Sequence, residues 1–331
     1  MDRNERAAAM PRTNRASTSL ASLLLAGVAS LALSCPADAL TINPTFDAFV
    51  TQPARDAFNF AAAEFQALYT DPINVNITVN TGTTGLGGSS TPIFGIFSYA
   101  QVRTALINDN AAHPSADGNT SVGAGGSINT TTDPSTSGRY FIPRAEEKAL
   151  GLIPNDLTND GTFTYNRNLT YTFDPNNRAV AGAFDFIGVA EHEISEIMGR
   201  IPGLGGDIAG SPGFLPYDLF RYRGANTRGI TNTGSGNFFS INNGTTNLHG
   251  FNDANTNGGD PQDWDNSNLS DPYDAFTSSG QGHAITSYDI TTLDVIGYDL
   301  RQAQETPEPG TLALLGTSLL GLAALRRRRR T

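Results

Sequence analysis

One predicted helix limits what this chain can fold into, because it is apolar enough to be buried and still carries ionisable side chains. Its pattern runs from Phe184 to Arg200, and Gly199 is well placed to end it. The apolar residues form a broad face at helical spacing: Phe186, Ile187, Val189, Ala190, Ile194, Ile197 and Met198. The ionisable residues on the same helix are Glu191, His192, Glu193 and Glu196. Burying charged groups is unfavourable unless they are paired or bind a cation, so the helix predicts a polar site inside the fold.

The spacing of these residues points to metal chemistry. His192 and Glu196 are four residues apart, so their side chains project from one face of the helix, one turn apart. Together they can bind a metal ion through an imidazole nitrogen and a carboxylate oxygen. Glu193 reaches the edge of that site, where it could hold a water molecule and take its proton. This is the logic of the H-E-x-x-H motif with Glu196 in place of the second histidine; the alternative is a helix with a merely acidic face.

Residues 1–39 predict an export signal that signal peptidase removes. Four arginines within residues 1–15 precede an apolar run from Leu20 to Leu33, and small residues follow before a cleavage position at Leu40. A start at Met10 and a lipoprotein site at Cys35 are the alternatives. Cys35 is the one cysteine of the chain, so the mature protein has no disulfide and must be held by its core or by a metal.

Residues 302–331 combine three features in order: Pro307-Glu308-Pro309, an apolar helix-forming segment 311–325 and the arginine cluster 326–330. The apolar segment is short for a full membrane span, but the arginines supply a cytoplasmic anchor. An ordinary tail anchor is the alternative. The order closely resembles the PEP-CTERM sorting signal of Gram-negative bacteria. This resemblance implies transient anchoring in the inner membrane and cleavage by an exosortase-type enzyme. Release to the cell surface or attachment within an exopolysaccharide matrix would follow.

The charge of the body narrows the choice of partners. Residues 40–306 contain 12 basic and 28 acidic residues, a net charge of −16, which should repel nucleic acid and anionic lipid. Six aspartates crowd a Gly/Asn-rich stretch: Asp253, Asp260, Asp263, Asp265, Asp271 and Asp274. Oxygen-rich loops of this kind suit Ca²⁺, although none matches the EF-hand pattern, and a hydrophilic surface loop is the alternative.

The body mixes helical and strand patterns and predicts an α+β fold. Predicted helices cover 53–69, 99–107, 144–150 and 286–298, the last capped by Ser287. A strand is predicted at 73–79 and a strand pair within 163–173, with polar loops at 80–96 and 112–138.

Five short motifs extend the similarity over most of residues 180–300. In order they are HEISEIMGR, PYDLFRY, FFSINNGTTNL, GDPQDW and SYDITTLDVIGYDL. Their order resembles a family of PEP-CTERM-associated predicted metalloproteases, which is distantly similar to metzincins. The resemblance implies one zincin-like (metzincin-like) catalytic domain over residues 40–301 with long polar loops, a Zn²⁺ ion and Glu193 as general base. Glu196 departs from H-E-x-x-H, and its extra charge weakens the metal as a Lewis acid.

The third metal ligand is predicted less directly. The position that follows the helix glycine in metzincins is Pro202 here, which cannot bind a metal. Asp263 in GDPQDW is the first choice. It precedes Trp264 and resembles in position a His-Trp pair that leishmanolysin-like enzymes have late in the chain. Asp218, His283 and His249 are the alternatives. His113 lies in a loose polar loop and is not expected to take part.

The sequence therefore predicts a secreted zinc endopeptidase that hydrolyses an extracellular polypeptide through metal-activated water. The alternative is a non-catalytic matrix or adhesion protein that keeps the metal as structure. A set of one histidine and carboxylates would also accept Mn²⁺ or Fe²⁺.

Overall fold

The computed structural model describes residues 39–113, 121–231, 235–267 and 269–301. The strands are β1 Thr41–Phe46, β2 Asn74–Gly82, β3 Ser89–Ser90, β4 Ile93–Phe97, β5 Tyr140–Pro143, β6 Gly161–Asn166, β7 Tyr171–Thr172, β8 Phe184–Asp185, β9 Gly206–Ile208, β10 Ser211–Gly213, β11 Arg221–Gly224, β12 Thr227–Arg228, β13 Phe238–Phe239 and β14 His249–Gly250. The helices are α1 Gln52–Leu68, α2 Tyr99–Ala112, α3 Arg144–Ala149, α4 Phe186–Ile197, α5 Ala254–Asn257 and α6 Ser287–Val295, with a 3₁₀ helix at Pro216–Phe220. The fold is therefore mixed α/β. The predicted tail 302–331, and the predicted signal peptide except its last residue, lie outside the described residues.

The main sheet has the order β1-β2-β6-β3. Its first three strands are parallel, and the two-residue strand β3 closes the edge antiparallel to β6. Val75, Ile77 and Val79 alternate along β2 and are buried, as the predicted strand at 73–79 requires. Helix α1 packs against α4, and α4 also contacts β3 and β6. Helix α4 thus lies between α1 and the antiparallel edge of the sheet.

Helix α4 is shorter than the pattern from which it was predicted. The first two residues of that pattern form β8, which pairs in parallel with β7. The Asp185 carboxylate caps the helix by accepting the backbone N–H of Ile187 at 3.1 Å. The ring of Phe186 packs edge-on against that of Tyr165, with centroids 4.9 Å apart. Every residue of α4 is buried except His192, which is partly exposed.

Two local predictions are wrong. The strands within 163–173 do not pair with each other, because β6 pairs with β2 and β3, whereas β7 pairs with β8. The cap of α6 is Thr286 rather than Ser287. The backbone N–H of Thr286 donates to Asp289 Oδ2 at 2.8 Å, which makes Ser287 the first helical residue. The first error arises from strand pairing between distant parts of the chain, whereas the second overlooked the local Thr286–Asp289 capping interaction.

The boundaries of the other helices follow the sequence patterns closely at one end or both. Helices α1 and α3 agree with prediction to within one residue, whereas α2 continues to Ala112, five residues beyond its predicted end. The predicted loop 80–96 contains the end of β2, all of β3 and part of β4. Within the described ranges, no helix combines the length and the apolar character needed to cross a membrane.

The later part of the chain is organised around Trp264. A small antiparallel sheet has the order β12-β11-β13-β14. Trp264 is fully buried, and its ring lies 5.8 Å from that of Phe239 on β13. Its Nε1 donates to Asp289 Oδ1 on α6 at 2.7 Å, and its backbone N–H donates to the Tyr273 carbonyl at 2.9 Å. These contacts fix the position of the neighbouring residue, Asp263.

Candidate metal centre

Helix α4 places His192 and Glu196 one turn apart, and a distant loop brings Asp263 to the same point. His192 Nε2 lies 3.5 Å from Glu196 Oε1 and 3.5 Å from Asp263 Oδ1. One donor atom from each residue lies within 4.8 Å of the other two. We call His192, Glu196 and Asp263 the α4 cluster. One imidazole nitrogen and two carboxylate oxygens facing one point form a donor set that suits a divalent cation.

A backbone carbonyl fixes the orientation of the His192 ring. Its Nδ1 lies 2.8 Å from the carbonyl oxygen of Pro272, which can only accept a hydrogen bond. Nδ1 therefore carries a proton, and Nε2 is the nitrogen that faces the two carboxylates. A backbone carbonyl in this role is the arrangement that usually orients metal-binding histidines.

Both oxygens of Glu196 are held by neighbouring side chains. Ser89 Oγ on β3 donates to Oε2 at 2.6 Å, and Gln262 Nε2 donates to Oε1 at 2.7 Å. The edge strand and the Asp263 loop therefore both contact the α4 cluster. Each carboxylate oxygen has a second lone pair, so these hydrogen bonds position Glu196 without using up its capacity to bind a cation.

Arg200 is the positive charge beside the α4 cluster, and its side chain is fully buried. Its Nη1 donates to Asp263 Oδ1 at 2.7 Å, and its Nε donates to Ser195 Oγ at 2.7 Å. The guanidinium lies over the ring of Tyr273, 4.3 Å from the centroid. The sequence pattern marked Arg200 only as the last residue of the predicted helix. The structure instead pairs it with a proposed metal ligand.

The electrostatics of the α4 cluster follow from this close packing. Burial would lower the pKa of His192, but the carboxylates of Asp263 and Glu196 outweigh burial and raise it to about 10. Burial would raise the pKa of Glu196, yet His192 and Arg200 hold it well below its usual range. Burial raises the pKa of Asp263, although His192 and Arg200 act in the opposite sense. A cation that bound here would compete with the proton on His192.

Glu193 lies beside the α4 cluster with one oxygen unengaged. The side chain is buried, and within the described part of the chain its Oε2 has no hydrogen-bond partner. Burial and the Glu196 carboxylate raise the pKa of Glu193 to about 8. A Cβ atom at Gly87 would lie 2.9 Å from Glu193 Oε1 and 2.6 Å from Val189 Cγ1, so the bare backbone at residue 87 makes room for this carboxyl.

A pocket of about 460 Å³ opens onto these residues. His192, Glu193 and Asp263 line one part of it. The remaining lining mixes apolar and acidic side chains: Leu86, Leu169, Phe184, Val189, Phe276, Asp260, Asp271 and Asp274. A ligand in this pocket would therefore lie beside the buried carboxyl of Glu193.

None of the three alternative ligands belongs to the α4 cluster. Asp218 Oδ2 accepts the backbone N–H groups of Gly203, Leu204 and Leu215 at 2.9–3.0 Å, so it shapes the chain after α4. The ring of His249 packs against Trp264, with centroids 5.0 Å apart.

His283 lines the pocket, but both ring nitrogens already have partners. Nδ1 lies 3.2 Å from Asp185 Oδ2, and Nε2 lies 2.8 Å from Thr277 Oγ1. Its role is to hold the cap of α4 in place, because Asp185 provides that cap. Of the four ligand candidates named from the sequence, Asp263 is the one that the structure brings to His192 and Glu196.

The aspartates of the Gly/Asn-rich stretch have several different structural roles. Asp253 caps α5, and Asp271 Oδ1 accepts the backbone N–H of Tyr273 at 2.7 Å. Of its six aspartates, Asp263 is the one that belongs to a three-residue ligand group among the described residues. Binding of Ca²⁺ by this stretch stays a prediction.

Several partners of the α4 cluster were not singled out from the sequence. Ser89 lies on a two-residue strand inside a Gly/Ser-rich segment, where no alternation marks it. Pro272 contributes through its backbone carbonyl, which any residue type could provide. Gln262 had one available signal, since it stands directly before Asp263 in GDPQDW.

Comparison with protein families matches residues 305–329 to the PEP-CTERM protein-sorting motif. The matched segment contains Pro307, Glu308 and Pro309 and lies outside the described residues. The motif marks the chain as an exosortase-sorted extracellular protein, exported and transiently anchored by its C-terminus. No curated protein and no solved structure matches the chain. The resemblance of the body to metalloproteases therefore stays a prediction.

Proposed function

We propose that this exported chain is a metal-dependent endopeptidase of zincin-like fold, with its centre at the α4 cluster. The observation that carries the proposal is that His192 Nε2 lies 3.5 Å from a carboxylate oxygen of Glu196 and 3.5 Å from one of Asp263. These atoms lie beside a pocket that Glu193 also lines. Zn²⁺ is the proposed ion, and Mn²⁺ and Fe²⁺ fit the same donors.

The donor set fits a divalent cation in charge as well as in geometry. Two carboxylates and one neutral imidazole would hold the ion, with the imidazole tautomer fixed by Pro272. Arg200 offsets one of the two negative charges. When bound, the ion would supply Lewis acidity to a peptide carbonyl in the pocket.

Glu193 is the proposed general base and then the proposed general acid. Glu193 lines the pocket and has one carboxyl oxygen without a hydrogen-bond partner among the described residues, so it would accept a proton from a water molecule and later return that proton to the leaving amine. A carboxyl with a pKa of about 8 exchanges protons efficiently near neutral pH. Ser89, Gln262 and Arg200 keep the neighbouring carboxylates in place, so that Glu193 is the mobile proton carrier of the site.

The substrate we propose is an extracellular polypeptide. Sorting by an exosortase delivers the chain to the outside of the cell, where peptide bonds of matrix or surface proteins are accessible. Apolar side chains such as Leu86 and Phe276 line the pocket next to Glu193 and can bind an apolar side chain of the substrate.

One observation favours a second function, that of a non-catalytic matrix protein. Arg200 Nη1 already pairs with Asp263 Oδ1 at 2.7 Å and lies in a fully buried position. A buried arginine can neutralise a carboxylate without any metal. In that case the α4 cluster would hold the Asp263 loop against α4 and do no chemistry.

The test compares Glu193→Gln with the unchanged chain in a metal and proteolysis assay. We expect equal metal content and a loss of peptide hydrolysis of about 10²–10⁴-fold, the range for removing a general base. Asp207→Asn, at an exposed position, serves as the control and should keep full activity. Equal hydrolysis by Glu193→Gln and the unchanged chain would refute the peptidase. Bound metal without hydrolysis in either would favour the matrix protein.

A further inference from the structure

A second group of ionisable residues lies at the C-terminal end of α2, away from the residues of the α4 cluster. Asp109 and His113 are one turn apart, and Asp299 comes from the segment after α6. One donor atom from each of the three lies within 4.8 Å of the other two. We call Asp109, His113 and Asp299 the α2 cluster. We propose that the α2 cluster is a structural site for a divalent cation of the zinc class.

The first support is the geometry of the donors. His113 Nδ1 lies 2.8 Å from Asp299 Oδ2, and the backbone N–H of His113 donates to the Asp109 carbonyl at 2.9 Å. His113 therefore caps the helix and directs its ring to the carboxylates. The sequence placed His113 in a loose loop. That prediction was wrong, because α2 extends to Ala112 and makes residue 113 its cap.

The second and independent support is a pair of buried oxygens without a partner. Asp299 is 8% exposed and Asp71 is 1% exposed. Within the described ranges, Asp299 Oδ1 and Asp71 Oδ1 have no hydrogen-bond partner. Asp71 Oδ2 accepts the backbone N–H of Asp299 at 2.9 Å, so the two carboxylates are neighbours. Buried carboxylate oxygens without a donor are unfavourable unless a cation is near.

The third support is the size of the cavity among these residues. Asp109, His113 and Asp299 line a small space of about 10 Å³, together with Asn110 and Asp294. This volume is about that of one water-sized sphere, too small for an organic ligand and sufficient for one ion.

The charge of the surroundings points the same way. The C-terminal end of a helix carries a partial negative charge that favours cations, and α2 ends at Ala112. Asp109, Asp294 and Asp299 all line the cavity, where the imidazole of His113 is the single basic group among the lining residues.

The donor types select the kind of ion. An imidazole nitrogen together with carboxylate oxygens suits Zn²⁺ or Mn²⁺, whereas Ca²⁺ takes oxygen ligands. The bound ion would join the end of α2 to the segment after α6, two parts of the chain that are far apart in sequence. The α2 cluster does not line the pocket beside Glu193, so the role is structural.

The test counts Zn²⁺ ions bound to the purified full-length chain by titration against a chromogenic chelator. We expect two ions for the unchanged chain and one for His192→Ala, which removes a ligand of the α4 cluster alone. Adding His113→Ala or Asp299→Asn to His192→Ala should leave none, whereas adding Asp207→Asn should leave one.

A thermal melt of the same variants checks that each of them is folded. In the His192→Ala background, Zn²⁺ should raise Tm by several degrees, and His113→Ala should abolish that rise. His113 is 57% exposed at its side chain, so its replacement should not prevent folding. A second ion that survives both His113→Ala and Asp299→Asn, or a His192→Ala variant that binds none, would overturn the proposal.

Discussion

The α4 cluster and the α2 cluster have the same plan and different surroundings. Each takes two residues one turn apart on a helix, His192 with Glu196 or Asp109 with His113, and adds one aspartate from a distant segment. In the α4 cluster, hydrogen-bond donors reach Glu196 from two sides and Arg200 pairs with Asp263. In the α2 cluster, Asp299 keeps an oxygen without any donor among the described residues.

The spaces next to the two clusters differ as much as their partners. A pocket of about 460 Å³ opens beside the α4 cluster, whereas the α2 cluster borders a space of about 10 Å³. Held carboxylates beside a large pocket suit chemistry on a substrate, because catalytic groups must be positioned before the substrate arrives. A buried carboxylate oxygen without a donor, beside an ion-sized space, suits a structural ion. One imidazole and two carboxylates thus predict a different role in each cluster, and only the surroundings separate the two.

The largest expected difference between the clusters is the effect of replacing the basic side chain that pairs with the aspartate, Arg200 beside the α4 cluster and His113 in the α2 cluster. Arg200→Met should destabilise the fold by about 3 kcal/mol in the presence of a chelator, because the buried Asp263 would lose its closest partner and keep only the His192 imidazole at 3.5 Å. His113→Ala should cost less than about 1 kcal/mol, because that side chain is largely exposed. Urea unfolding gives both values, with Arg223→Met at an exposed position as control. Equal effects of the two replacements would remove the contrast.

The next effect concerns the pH dependence of metal binding. The pKa of His192 is raised to about 10, so below that pH a cation must displace a proton from the imidazole. Affinity at the α4 cluster should therefore fall about tenfold per pH unit, or about 100-fold from pH 8 to pH 6. Zn²⁺ titration of His113→Ala, which keeps the α4 cluster alone, measures this. An affinity that is constant over that range would show that His192 is not a ligand.

A smaller effect is expected from narrowing the pocket. Gly87→Ala would place a methyl group against Glu193 Oε1 and Val189, and we expect hydrolysis to fall on the order of tenfold with metal content unchanged. Gly88→Ala is the matched control, since a Cβ there meets nothing within 4 Å. Equal activity of the two variants would argue against Glu193 as the reacting group.

The smallest expected effect is a gain in stability near the α2 cluster. Burial and Asp299 raise the pKa of Asp71 to about 7, so folding favours the protonated carboxyl. Stability from this group is fully present below about pH 4 and is lost as the pH rises through about 7. In a chelator, Asp71→Asn should therefore stabilise the fold by on the order of 1 kcal/mol at pH 8 and little at pH 4. Chemical unfolding at both pH values, beside Asp207→Asn, would detect it. Destabilisation at pH 8 would show that Asp71 is already compensated.

What the sequence could predict depended on how local each feature was. Helix α4 and strand β2 were found because their apolar spacing is regular over several residues. Asp263 was chosen from the order of motifs. Ser89 and Arg200 were not assigned to the site, because their contacts join parts of the chain that no periodicity connects.

The α2 cluster is a second case in which local sequence patterns did not predict a contact between distant parts of the chain. The end of α2 reads Asn108-Asp109-Asn110, residues of low helix propensity, so the pattern stopped at Ile107. The structure continues the helix to Ala112, and His113 pairs with Asp299, far away in sequence. Tertiary contacts therefore overrode the local preference and brought the α2 cluster together.

The most direct measurement is zinc-edge anomalous diffraction from crystals of the Zn²⁺-loaded chain. A peak is expected about 2.0–2.2 Å from His192 Nε2 and from one oxygen each of Glu196 and Asp263. Its absence there, with Arg200 still bound to Asp263 and His192 facing the carboxylates directly, would contradict a metal centre on α4.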